Sequence, residues 1–407
     1  MTRYPAAGYP AARYPAAIVL LALLAAQPAP AGSVFSVNGI GETIFGVDAR
    51  GMAMGGAGLA DPTPWHISLE NPALLARVER FSFGAALMPE LRRIELEGSD
   101  KSASFAYFPF FRLTHSLPGN LVAGAAMGVQ HRVSYRTEER RTVGDLEVVD
   151  VRSGDGGPNF VSFALARKIG GRALVGAELR IMVGTIEDKR NVSAVGDTML
   201  ATQDVTKTSF GGEPLGRFGG YVDLGGGLGI GGAFQFSRVM DVTTTVISRG
   251  VELARSEADI TYPAMGGLGV SYKPGQRATF TAEWFRTAWG QTGALAGYDG
   301  EMVDSNRFSF GAEWVLGGDD YKVPLRAGFL RRELSYRASG AADSPTETAL
   351  TLGMGLPFRR DNGSFDVAVQ IGSRGDLETD GARESFLRFT LSMVGTEFLE
   401  HLIPGAE

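Results

Sequence analysis

In Phe308-Ser309-Phe310-Gly311-Ala312-Glu313-Trp314, aromatic or apolar residues alternate with polar or small ones. A strand sends successive side chains to opposite faces, so this segment has one greasy and one wet face. The same period recurs in Ala173 to Val183, where Val175, Leu179 and Ile181 oppose Glu178, Arg180 and Met182. It recurs again at Phe280 to Trp284, Leu325 to Phe329, Phe365 to Ile371 and Leu387 to Met393. Strands with one apolar face, each near the ~9–11 residues that cross a bilayer when tilted, predict a closed barrel with lipid outside and polar groups within.

The connections support that plan. Gly170-Gly171, Gly225-Gly226-Gly227, Lys273-Pro274-Gly275 and Asp361-Asn362-Gly363 supply the backbone freedom of tight hairpins. Polar stretches near 136–157, 187–210, 241–258, 288–304, 335–346 and 373–383 read as long loops. Short turns on one side and long loops on the other are the plan of outer-membrane barrels, the short side being periplasmic. The count predicts an all-β, transmembrane antiparallel β-barrel of about fourteen strands, with twelve or sixteen as neighbouring solutions.

Before the barrel lies a targeting segment. Arg3 and Arg13, the apolar run Ala16 to Ala26, and Ala29-Pro30-Ala31 predict a cleaved signal peptide over residues 1–31. The chain has no cysteine, so an exported fold must rest on packing and hydrogen bonds. The net charge of −6 comes without a basic block, which argues against nucleic acid as a partner. His66, His115, His131 and His401 lack metal-ligand spacing, and no Gly-x-Ser-x-Gly elbow occurs, so the reading is a non-enzyme with no cofactor and no metal. The glycines from Gly225 to Gly232 run into another strand rather than a helix, which removes a phosphate-loop reading.

Residues 32–78 do not alternate. Gly51-Met52-Ala53-Met54-Gly55-Gly56-Ala57-Gly58 reads as a short, tightly packed helix or turn, and Asn71-Pro72 as a turn or helix start. Gly55-Gly56-Ala57 and Asn71-Pro72-Ala73, followed by a first strand, resemble the amino-terminal hatch of the FadL/TodX family. The resemblance implies a hatch over 32–78 inside a fourteen-stranded barrel over 79–395. It also implies a channel for passive uptake of hydrophobic compounds such as long-chain fatty acids across the bacterial outer membrane. Expected partners are hydrophobic small molecules or lipids, and outer-membrane lipid. The alternative is a barrel similar to the PorV/PorQ type, partnering secretion machinery or surface assembly. Residues 396–407 read as a periplasmic tail with Phe398, Leu399 and Leu402 on one helical face.

Seven charges share the wet parity: Glu178, Arg180, Glu283, Glu313, Arg326, Asp366 and Arg388. In a barrel they face the lumen, where they pair with one another or with the hatch, because an unpaired buried charge costs several kcal/mol. The other reading makes Arg180, Arg326 and Arg388 a carboxylate-binding spot. Tyr107, Phe108, Phe110 and Phe111 around Pro109 read as an interfacial girdle, with a pocket wall as the alternative. Gly124 and Gly128 mark candidate weak points in one strand.

Overall fold

A computed structural model describes residues 32–396 apart from 38, 62, 196, 213, 293–299, 319–321 and 359–361. The expected signal peptide and the tail beyond Thr396 lie outside the described residues. The described chain forms a closed antiparallel barrel of 14 strands. In chain order these are β1 (Ser82–Leu96), β2 (Ser99–Tyr107 and Phe110–Leu117), β3 (Leu121–Val129 and His131–Val143), β4 (Leu146–Ile169) and β5 (Ala173–Ala194). Next come β6 (Asp197–Gly212 and Leu215–Gly225), β7 (Leu228–Gln235 and Arg238–Ser248), β8 (Val251–Tyr262 and Met265–Tyr272) and β9 (Ala278–Thr287). The last five are β10 (Ser305–Gly317), β11 (Lys322–Glu333), β12 (Thr346–Pro357), β13 (Gly363–Arg374) and β14 (Ala382–Thr396). Pairing of Ser82 with Thr396, running up to Leu96 with Ala382, closes the ring.

Alternation is visible in the side chains. Trp314 is 53% exposed and Glu313 is 7% exposed, one residue apart on the same strand. Outward Leu, Phe and Trp form the apolar coat that a bilayer requires, and the ladder leaves no backbone group facing lipid unpaired where strands are matched.

Three of the polar stretches read as loops are instead strand. The segments 136–157, 187–210 and 241–258 fall within hairpins β3–β4, β5–β6 and β7–β8, which turn at 144–145, just past Ala194 and at 249–250. The apolar alternation stops there because both faces are wet. The backbone ladder and β-branched runs such as Thr243-Thr244-Thr245 still favour strand. A tall sheet thus rises beyond the barrel at its long-loop end. Among their described residues, the remaining stretches carry little regular structure, with a short helix Leu377–Asp380 in the last.

The aromatic cluster divides rather than forming one girdle. Pro109 interrupts β2, and the alternation restarts after a two-residue break. Phe108 and Phe111 point outward at 59% and 40% exposure, while Tyr107 and Phe110 are buried inward. The Tyr107 hydroxyl donates to Met88 Sδ at 2.8 Å.

The ladder also has a seam. Below Pro109, β2 and β3 pair from Phe110 with Gly128 to Leu117 with Leu121. Above it, Ser99–Tyr107 pairs with β1 and His131–Val143 pairs with β4, with no ladder between them among the described residues. Gly124 lies within the paired stretch, so the opening is not there; it begins just past Gly128 and Val129.

Candidate functional site

The amino-terminal segment meets the inward side chains of most of the wall. Its α-helix Ala49–Ala53 starts at Asp48, whose carboxylate accepts from the Gly51 N–H at 2.9 Å and the Ile67 N–H at 2.6 Å. The same carboxylate meets His66 Nδ1 at 2.8 Å, so His66 ties the two arms of the segment together. Gly55 and Gly56 follow with φ of +74° and +80°. A Cβ on Gly55 would lie 2.4 Å from the Phe329 carbonyl oxygen, so only glycine lets the turn lie flat on the wall. Ala57 is buried beside them.

The Asn-Pro-Ala stretch has a direct physical account. Asn71 caps the 3-10 helix Pro72–Arg77 by accepting from the Ala73 N–H at 3.0 Å. Its Nδ2 donates to the carbonyls of Leu59 at 2.7 Å and Gly220 at 3.0 Å. Pro72 occupies the first helical position, where its missing N–H and fixed φ cost nothing. Ala73 is small enough to lie against β5 and β6.

All seven charges of wet parity are buried. Glu313 binds Arg326 Nε at 2.7 Å and Arg50 of the segment through both guanidinium nitrogens. Arg326 continues to Asp366 at 2.5 Å, and Arg50 Nε to Asp61 at 2.7 Å. Glu283 has another role: its carboxylate accepts the backbone N–H groups of Gly58, Leu59 and Ala60 at 2.8, 2.8 and 3.0 Å. Glu178 pairs with Arg180 at 2.9 Å, and Arg180 lies over the Phe160 ring. Arg388 pairs with Glu90 at 2.7 Å and reaches Gln370. Arg180, Arg326 and Arg388 are therefore all matched to protein acids.

Several partners escaped the sequence reading. Glu42 of the segment is held by Arg92 and Arg374, each at 2.8 Å, and Arg374 and Arg332 converge on Glu347 at 2.6 and 2.9 Å. Arg374 also reaches Glu384 at 3.2 Å. Arg307 grips Glu70 with two bonds of 2.7 and 2.6 Å. Arg307 shares the parity of Ser309 and Glu313, which was the available signal. Glu42, Arg50, Asp61 and Glu70 stand in the amino-terminal segment, where no long strand alternation marks them.

Above Leu69, toward the long-loop end, lies a cavity of about 90 Å³. Ile40, Phe160, Met265, Trp289 and Met302 give it an apolar lining, and Arg180, Arg217, Arg307 and Arg332 border it. Arg180 and Arg217 both donate to the Leu69 carbonyl, at 3.1 and 2.5 Å, which fixes that floor. His131, on the seam side, meets the Tyr262 hydroxyl at 3.0 Å. Beneath Leu69 is a second cavity of about 20 Å³. The seam itself is spanned by Arg132, whose guanidinium lies 5.1 Å from the Phe105 ring centre and 5.2 Å from that of Tyr107. The segment strand Glu42–Thr43 pairs with Arg132 and His131 along the same edge.

Known structures share this architecture. A Pseudomonas aeruginosa FadL homologue aligns over 88% of this chain and 99% of its own, at 11% identity and a TM-score of 0.61. The fold is of FadL type. The Pseudomonas putida toluene transporter TodX aligns over 88% and 99% at 16% identity, with a TM-score of 0.56. The Ralstonia pickettii toluene transporter TbuX aligns over 89% and 100% at 16% identity, with a TM-score of 0.54. At such identities the likeness concerns the FadL-type fold. A family model described as BamG matches residues 14–216. A search of curated proteins finds no match to this sequence.

Proposed function

We propose that this FadL-type barrel is an outer-membrane channel for passive uptake of small hydrophobic compounds, exported by a cleaved signal peptide and carrying residues 32–78 as a hatch. One observation carries the reading: the apolar cavity touches the amino-terminal segment and the open seam at once. Ile40 to Gly46 line it from the segment, and Val129 to His131 line it from the seam. A compound entering at the long-loop end would lodge there and leave sideways into the bilayer once Arg132 swings off its rings.

Size limits the cargo. Engineered apolar cavities of ~150 Å³ accept benzene. At about 90 Å³, this cavity must widen even for a single aromatic ring. A long-chain fatty acid needs the segment itself to shift. The structural neighbours TodX and TbuX are both toluene transporters, which supports cargo at the smaller end.

A second reading rests on a different observation. The lumen is crossed by matched charges, and the strand end Val251 to Asp259 is exposed on both faces above the barrel. A barrel serving secretion machinery or surface assembly has use for such a free edge and none for a pore.

The test uses the absence of cysteine. Phe105→Cys with Arg132→Cys, joined by a reducible bis-thiol linker, staples the seam. Toluene uptake into proteoliposomes should fall on cross-linking and return on reduction. Uptake indifferent to the staple rejects the seam as the exit. No uptake above empty liposomes rejects the channel and favours the partner reading, which co-purification of a secretion component would support.

A further inference from the structure

The outer wall carries a polar band that the lumen chemistry does not explain. Ladder register sets Ser102 of β2 opposite Arg93 of β1, then Ser385 of β14, Ser373 of β13, Thr348 of β12 and Arg331 of β11 in one row. These positions point away from the lumen, because their chain neighbours Arg92, Glu384, Arg374, Glu347 and Arg332 are buried inside it. Two residues lower on the same strands, Leu91, Leu387, Ile371 and Leu350 form an apolar row. Beyond Arg331 the polar row turns aromatic, through Phe308 to Trp284. The serines are shorter than the arginines and leucines around them, and the patch is hollowed into an open groove of about 840 Å³. Arg383, on the loop side of Ser385, joins its rim.

Among the described residues, none of the four hydroxyls in the row makes a hydrogen bond, and neither Arg331 nor Arg383 has an ion pair. Arg93 already holds Asp100 at 2.6 Å. Unmet hydroxyls and bare guanidinium groups are costly against hydrocarbon, so this band belongs among lipid headgroups. It adjoins the connections at 97–98 and 375–381, at the long-loop end, which faces the outer leaflet. Arg383 and Arg331 stand three strand spacings apart, about 15 Å. A compact headgroup reaches one of them. A sugar head phosphorylated at both ends reaches both and lays its hydroxyls on the serines between. We propose that the groove holds a phosphorylated glycolipid of the outer leaflet, its acyl chains on Leu91, Leu387, Ile371 and Leu350 and its phosphates on Arg331 and Arg383. The site depends on placement in the outer membrane and not on any cargo in the lumen.

Native mass spectrometry of the full-length barrel in detergent, given equal amounts of diphosphoryl lipid A and phosphatidylglycerol, reads the preference. The wild type should retain lipid A about tenfold over phosphatidylglycerol, the scale of one further charge-assisted contact. Monophosphoryl lipid A should fall between the two. Arg331→Gln with Arg383→Gln should remove the preference. Ser373→Leu with Ser385→Leu, which fills the groove and keeps the charges, should weaken it. Arg152→Gln, on the exposed upper part of β4, should leave it unchanged. Heat-modifiable mobility on gels reports whether each variant is folded, and the serine pair decides alone if the arginine pair is not. Equal retention of both lipids by the wild type overturns the inference. So does a preference that survives the arginine pair, or one lost equally in Arg152→Gln. Each of those results leaves the channel reading standing.

Discussion

Asn71 Oδ1 occupies the space where a side chain on Gly219 would begin: an added Cβ would lie 2.1 Å from it. The wall strand is thinned at that point to admit the amide that organises the segment. Gly219→Ala should expel Asn71 and release its bonds to Leu59, Gly220 and Ala73. The loss should reach ~2 kcal/mol or more, read as a lower urea midpoint and faster proteolysis of the amino-terminal segment. Gly216→Ala on the same strand, where an added Cβ meets nothing nearer than 3.8 Å, should be close to neutral.

Glu283 holds three consecutive backbone N–H groups without needing a cation at the contact. Glu283→Ala should leave all three buried and unmet, at a cost of ~3 kcal/mol or more, since hydrogen bonds to a charged acceptor contribute ~1.5–3 kcal/mol each. Glu283→Gln should fall between, because one oxygen acceptor survives. Hydrogen exchange at residues 58–60 should rise in that order.

The Glu70–Arg307 clamp predicts strong non-additivity. Glu70→Ala strands a buried guanidinium and should cost ~3–5 kcal/mol. Glu70→Ala with Arg307→Met removes both charges and should recover much of that loss. Heat-modifiable gel mobility across temperature measures both; equal losses in the single and double variants would contradict the clamp.

At the seam, Phe105→Ala removes one of the two rings under Arg132. A cation–π contact contributes ~0.5–2 kcal/mol, so local opening should become about twofold to thirtyfold more frequent. Exchange of amides 131–136 should speed up while those of β4 below Gly157 stay protected. Uniform acceleration across β3 and β4 would instead mean global loosening.

Much of the barrel was legible because period-2 alternation is a local property of the chain. Glu313 beside Trp314 already states which way each faces. The tall sheet was not legible, since Thr243 to Ser248 and Val251 to Asp259 face water on both sides and carry no apolar parity. The segment was legible in part. Asn71-Pro72 announces its helix start by local rules, and a small-residue run announces close packing. Its charged contacts were hidden. Arg50 finds Glu313 across 263 positions of sequence, and Glu42 finds Arg374 across the lumen. Such pairings depend on where the amino-terminal segment runs in space, which no spacing encodes.

Many of the wall's ion pairs join residues that are directly opposite across neighbouring strands: Glu313 with Arg326, Arg332 with Glu347, Glu347 with Arg374, Arg374 with Glu384, and Glu90 with Arg388. A slip of one position would turn these side chains outward into hydrocarbon. The last of them joins the final strand to the first. The charges therefore act as a combination lock on closure, and a nascent barrel whose ends meet out of step cannot seal.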